Sequence, residues 1–322
     1  MRATLSLLSS LLVAAFLLSL LLPWAPLAAL FEQDRDLAWG VLAELRLPRA
    51  ALALIYGAAL GASGAAIQAL FANPLASPDL TGTTSGAALG AVVTAYLIGF
   101  SSPIALSVGA VAGALGALAL LLLLAGPRAE TATLLLAGLA ISALAGALTT
   151  LALALAPSPF AFYDAYDWLM GSLADRSLAQ TAFAGVPALV MIVWLLRLVR
   201  PLDSLALGEE VAQSLGHDIL GLRIRIVCLT ALGVGACVAI CGAIGFIGLV
   251  APIFARRLSH SHPGRAILPA AAIGALLLIA ADLVSRLAPL GRTLPIGVVT
   301  ALLGAPFFLW LVAHMRWRLG AS

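Results

Sequence analysis

Residues 50–71 read AALALIYGAALGASGAAIQALF. No charge interrupts them, and the run is as long as the roughly 20 apolar residues a membrane-crossing helix needs. Gly57, Gly61 and Gly64 recur among alanines and Ser63 as a face of small residues that lets another helix backbone come close. A second such face runs through Gly109, Gly113 and Gly116. The pattern describes helices packed on one another in lipid rather than separate anchors.

The rest of the chain fits that reading. Of 322 residues, 63% are hydrophobic and 10% charged, and the mean hydropathy is +1.12. A soluble chain is about half apolar and about a quarter charged. Apolar runs bounded by charge, Pro or Gly fall near 5–24, 50–71, 84–100, 103–125, 133–156, 181–199, 223–243, 244–256, 266–285 and 294–314. They predict an all-α polytopic membrane protein of about ten transmembrane helices, the eighth short, forming one domain over 1–322. Leu5–Leu22 exceeds the roughly 7–15-residue core of a signal peptide, so a retained first helix is expected.

Arginine sets the orientation. With the N-terminus inside, the inner side holds Arg2, Arg128, Arg197, Arg200, Arg223, Arg225, Arg256, Arg257, Arg265, Arg316 and Arg318. The outer side holds only Arg35, Arg46, Arg49, Arg176, Arg286 and Arg292. The inner excess agrees with the positive-inside rule and places both termini in the cytoplasm.

Several functions are excluded or disfavoured. All 17 basic residues are Arg, and a phosphate-cradling P-loop needs a Lys, so ATP-driven work must come from a partner. The net charge of +3 is too small and scattered for nucleic acid. Cys228, Cys237 and Cys241 share one apolar stretch and read as packing residues. His260 and His262 lack a nearby carboxylate or Cys, so no metal site is expected. No cofactor signature appears either: Gly233 and Gly235 lie inside an apolar helix with no strand before them. An ion-coupled transporter usually places ionisable groups at mid-membrane, whereas these spans are nearly free of them and Asp282 lies close to an end. A membrane enzyme lacks any convincing nucleophile–base or metal constellation.

One segment stands apart. Residues 205–218, LALGEEVAQSLGHD, are acidic and amphipathic, and the arginine count puts them inside. Gly208 can start a short helix with Glu209 and Glu210 in its first turn, where the dipole favours acids. Val211 and Leu215 share a face at i,i+4 spacing, and Gly216 is a natural stop. About two turns do not persist alone in water. The helix either lies on its own protein's inner surface or docks a soluble partner.

Taken in order, LRLPRAALALIYGAALGASGAAIQALFANPL (45–75), LLLAG (134–138), WLMGSL (168–173), LALGEEVAQSLG (205–216), GAIGFIGLVAP (242–252) and LPIGVVTALLGAPFFLWL (294–311) resemble the permease subunits of ABC importers for iron-siderophores, haem and cobalamin. The resemblance spans nearly the whole chain. It implies the type II importer fold, with ten helices per subunit and helices 2–5 and 7–10 as repeats. A five-helix offset is odd, so the halves are inverted in the membrane. It also implies a homodimer in the inner membrane, two ATP-binding-cassette subunits inside and a substrate-binding protein outside. The cargo expected first is a ferric siderophore, with haem or cobalamin as the alternative.

The resemblance also assigns residues. Residues 203–222 become the segment that couples to the ATPase, through Leu207, Gly208, Glu209, Glu210, Val211, Leu215 and Gly216. Arg46 and Arg49 flank Pro48 at the outer entry to the second helix, where cations oppose the helix dipole. They either snorkel to the interface or act as forks for carboxylates. In similar transporters, matching arginines grip acidic residues of the binding protein, and Arg286 matches a third such position. Asp282, one turn earlier, can pair with Arg286 and hold it. Asn73, Leu75 and Thr131 match the constriction at the inner exit, or are ordinary turn and cap residues. Glu130 departs from the small residue expected there, and Ile253 from the His expected after Pro252. Asp164, Asp167 and Asp175 either complement Arg176 or repel an anionic ligand, and residues 31–44 read only as an outer solvated or interfacial segment.

Overall fold

The computed structural model describes residues 2–100, 102–126, 131–287 and 294–319. They form α1 (Arg2–Leu21), α2 (Trp24–Gln33), α3 (Arg35–Gly40), α4 (Leu47–Leu70), α5 (Thr83–Tyr96), α6 (Pro103–Ala125), α7 (Thr131–Ala154), α8 (Pro159–Leu169), α9 (Leu178–Arg197), α10 (Val199–Leu205), α11 (Glu209–Ser214), α12 (Ile219–Cys241), α13 (Ile247–Leu258), α14 (Ile267–Leu287) and α15 (Ile296–Leu319). No strand occurs among the described residues.

Seven described helical segments are long and apolar enough to cross a membrane: α1, α6, α7, α9, α12, a span containing α3 and α4, and one containing α14. The shorter α5 and α13, and α15 with its apolar stretch Ile296–Trp310, occupy the remaining expected runs. One expectation gains detail. Residues 31–44 are helical rather than merely solvated: the Asp34 carboxylate caps α3 by accepting from Leu37 N at 3.0 Å, and a π-helical turn at Val41–Arg46 feeds α4. A polar segment too short to span gives no hydropathy signal, so only the cap chemistry marks it.

Packing shows the inverted repeat. Helix α4 packs on α14 as α12 packs on α6, α5 on α6 as α13 on α14, α5 on α7 as α13 on α15, and α4 on α13 as α12 on α5. Every partnership survives exchanging α4–α7 for α12–α15. Helix α9 belongs to neither half and touches the first helix of both. Its Gly185 faces Ile55 on α4, and its Met191 fills the space beside Gly233 on α12.

The small-residue faces explain how close the halves come. A Cβ on Gly61 would overlap the Ala270 carbonyl, and one on Gly57 would overlap that of Gly274. Gly109 and Gly113 meet α5 in the same way, while Gly116 has open space beside it. Helix α13 carries Pro252 without breaking. The ring removes the donor that Gly248 O would otherwise receive, and the fully buried Gln68 of α4 donates to the next carbonyl, Leu249 O, at 3.1 Å. By contrast α1 is peripheral, since only 11% of Thr4–Leu21 is buried.

Candidate functional site

Two sites lie at opposite ends of the helices. One is built around Asp282, which is fully buried near the end of α14. Its Oδ1 accepts from Arg49 Nε at 2.8 Å, and its Oδ2 lies 2.8 Å from Arg286 Nη2. One carboxylate thus joins α4 to α14 beyond the glycine contacts. Arg49 and Arg286 keep only 15% and 9% of their side chains exposed.

The remaining donors turn to α1. Arg46 Nη1 donates to Leu20 O and Leu21 O, both at 2.9 Å, and its Nη2 to Pro23 O at 3.0 Å. Arg286 Nη1 donates to Ser19 O at 3.0 Å and Leu22 O at 3.2 Å, and its Nη2 to the buried Ser19 hydroxyl at 2.7 Å. The α4 dipole opposes these cations, but the C-terminal end of α1 is the negative pole of another helix and favours them. Sequence spacing reveals Asp282–Arg286, four apart on one helix. It reveals neither Ser19 nor the α1 carbonyls, because the sequence treats α1 as a plain anchor.

The other site is the knuckle formed by α10 and α11. Gly208 precedes α11 at φ 104° and Gly216 follows it at φ 86°, conformations that suit glycine. Ala212 is fully buried and seats the helix, while Leu207, Val211 and Leu215 stand 66%, 43% and 61% exposed. Two polar ties hold the knuckle. Glu209 pairs with Arg223 on α12, and Asp203 accepts from Gly264 N at 2.8 Å and lies 3.7 Å from Arg265. The Glu209–Arg223 pair is a further feature that sequence reading, which took Glu209 only as a dipole partner, did not reveal.

Elsewhere the predicted residues are placed less informatively. Asn73 is half-buried in the turn after α4, where its Oδ1 accepts from Leu75 N at 2.9 Å. That is ordinary turn chemistry. Thr131 opens α7 but its side chain, like Glu130, Arg128 and Arg292, lies outside the described residues. Among the described residues no ion pair joins Arg176 to Asp164, Asp167 or Asp175. His262 Nδ1 lies 3.2 Å from His260 O, and the three cysteines are free thiols.

Eight described helices in two inverted halves, with α1 and α9 outside them, a cationic cluster at one rim and a protruding apolar knuckle at the other, define a polytopic transport subunit. The chain belongs to the FecCD transport family, whose model matches residues 4–314; these are permease subunits of ABC importers. It is 40% identical to the vitamin B12 import system permease protein BtuC of Vibrio cholerae over 90% of this chain and 86% of that one. It is 42% identical to BtuC of Salmonella agona over 84% and 82% of the two chains. A solved metal-chelate type ABC transporter in an inward-facing conformation superposes with a TM-score of 0.87 and 33% identity, covering 98% of this chain and all of the other. The PsaBC structure from Streptococcus pneumoniae, at 17% identity and TM-score 0.54, shares the fold alone.

Proposed function

We propose that this chain is the permease subunit of a corrinoid importer, carrying a ligand of the vitamin B12 type across the inner membrane with both termini in the cytoplasm. The observation carrying this reading is the 40–42% identity to two vitamin B12 import permeases over most of each chain. The ferric siderophore expected first from the sequence becomes the second reading, kept by the metal-chelate neighbour at 33% identity. Haem has no specific support beyond the family.

The chain works as a homodimer with two ATP-binding-cassette subunits and an outer substrate-binding protein. The exposed Leu207, Val211 and Leu215 on a polar-tied knuckle suit a cleft in a soluble ATPase, since a six-residue helix needs a partner to transmit force. The positive cluster of Arg46, Arg49 and Arg286 suits acidic residues on the loaded binding protein. Asn73, Leu75 and Thr131 narrow the inner exit. ATP binding moves the knuckle, the halves rock, and access alternates. The test is reconstitution of the permease, its ATPase and its binding protein in vesicles. ATP-dependent uptake of cyanocobalamin, with haem and ferric siderophore left outside, is the expected result. Uptake of ferric siderophore alone reverses the assignment of cargo.

A further inference from the structure

The three outer arginines differ in what they have left to offer. A guanidinium has five N–H donors in a fixed fork, and a bidentate carboxylate needs two parallel ones. Arg286 aims both Nη atoms inward, at Ser19, Leu22 and Asp282, and is 9% exposed. Arg46 commits both Nη atoms to Leu20, Leu21 and Pro23. Arg49 commits only Nε, to Asp282 Oδ1, and makes no other hydrogen bond or ion pair among the described residues. Its Nη1–Nη2 edge stays whole, and its 15% exposure leaves the tip within reach of the outer surface.

From this geometry we infer that Arg49 alone receives the binding protein's carboxylate, and that Asp282 is its positioning residue. Arg46 and Arg286 serve chiefly to clasp α1. Fixing Nε on a fully buried carboxylate removes rotamer freedom from Arg49 before the partner arrives, and preorganisation of this kind lowers the cost of binding. Asp282 does not cancel the attraction. These four residues carry three positive charges and one negative, and backbone carbonyls satisfy hydrogen bonds without neutralising charge. The excess positive field draws in the acidic partner, and the free fork of Arg49 engages it.

This inference rests on the docking reading proposed above, and the experiment separates the two. Affinity of the loaded binding protein is measured on the permease–ATPase complex in nanodiscs. Arg49→Gln is expected to weaken binding at least about tenfold, the scale of losing one hydrogen-bonded charge pair. Arg49→Lys keeps the charge but loses the fork, and falls nearly as far. Asp282→Asn weakens binding in the otherwise unchanged protein and adds nothing in the Arg49→Gln background, because it acts through Arg49. General damage to the fold would multiply instead. Binding by Arg49→Lys equal to that of the unsubstituted protein, or independent losses in the double variant, overturns the inference. If Asp282→Asn does not fold, the lysine variant decides. Should Arg46→Gln, Arg49→Gln and Arg286→Gln combined leave the affinity unchanged, docking itself lies elsewhere. Should that combination abolish binding while Arg49→Gln alone does nothing, docking stands and only the inference falls.

Discussion

Asp282 carries an unusual burden for one side chain. It is fully buried and faces two guanidiniums, and its loss leaves both cations beneath the surface with one partner fewer. Breaking a buried pair by removing one member costs about 3–5 kcal/mol. Asp282→Asn should therefore lower the unfolding temperature of the nanodisc-embedded protein well beyond any change caused by the exposed Glu210→Gln, as followed by thermal unfolding. Equal stability of the two variants contradicts the geometry. At this scale the sequence was half legible. Asp282 and Arg286 are one helical turn apart, so their contact follows from spacing alone. Arg49 is 233 residues from Asp282 in sequence, and nothing local in either segment announces that they meet. Ser19 was hidden for another reason: a single hydroxyl in a greasy helix is ordinary until a partner is seen.

Among the elements, α4 with α14 and the α10–α11 knuckle lend themselves to testing. Gly61→Leu places a side chain where the Ala270 carbonyl already stands, and the helices must part. Overpacking of this kind costs about 1–3 kcal/mol; lower thermal stability is the expected outcome. Gly116→Leu, whose glycine has open space beside it, should be tolerated in the same assay. On the knuckle, Val211→Asp with Leu215→Asp puts two charges on its exposed apolar face. The ATPase should then separate from the permease during purification, and its retention in stoichiometric amount contradicts a coupling role. Elements were legible where a rule of spacing or hydropathy applied. The glycines at 57 and 61 foretold close packing, and Gly208 and Gly216 bracketed α11. Helices α2 and α3 were not foretold, since WAPLAALFEQ is too short, and RDLAWG both too short and too polar, to register as a span. The proposed exit gate was least legible, because Asn73 and Leu75 form a turn that would look alike with or without a gate.

For the whole molecule, the defining prediction concerns dependence on others. Purified alone and reconstituted, the chain should neither hydrolyse ATP nor accumulate cyanocobalamin against a gradient; addition of the ATPase and binding protein should confer both. Reversing the sign of the outer rim with Arg46→Glu and Arg49→Glu should abolish capture of the loaded binding protein, read by co-elution, while the permease still retains its ATPase. Loss of both partners together would mark a folding defect instead. The class of protein was legible at this scale because ordered motifs run through nearly the whole chain. Its cargo was not, since the sequence first favoured a ferric siderophore and only comparison with relatives shifted the weight to a corrinoid. A permease that holds its ligand weakly has few residues whose chemistry names it.

Helix α9 stands outside the duplicated halves yet leans on the leading helix of each. A body so placed behaves as a fulcrum. Because inverted halves are related by a pseudo-two-fold axis in the membrane plane, a tilt of one half on α9 has a counterpart built from the equivalent helices of the other. A rocking motion would therefore trade one set of contacts for its counterpart. Through such a motion α9 would keep its hold on the leading helix of each half.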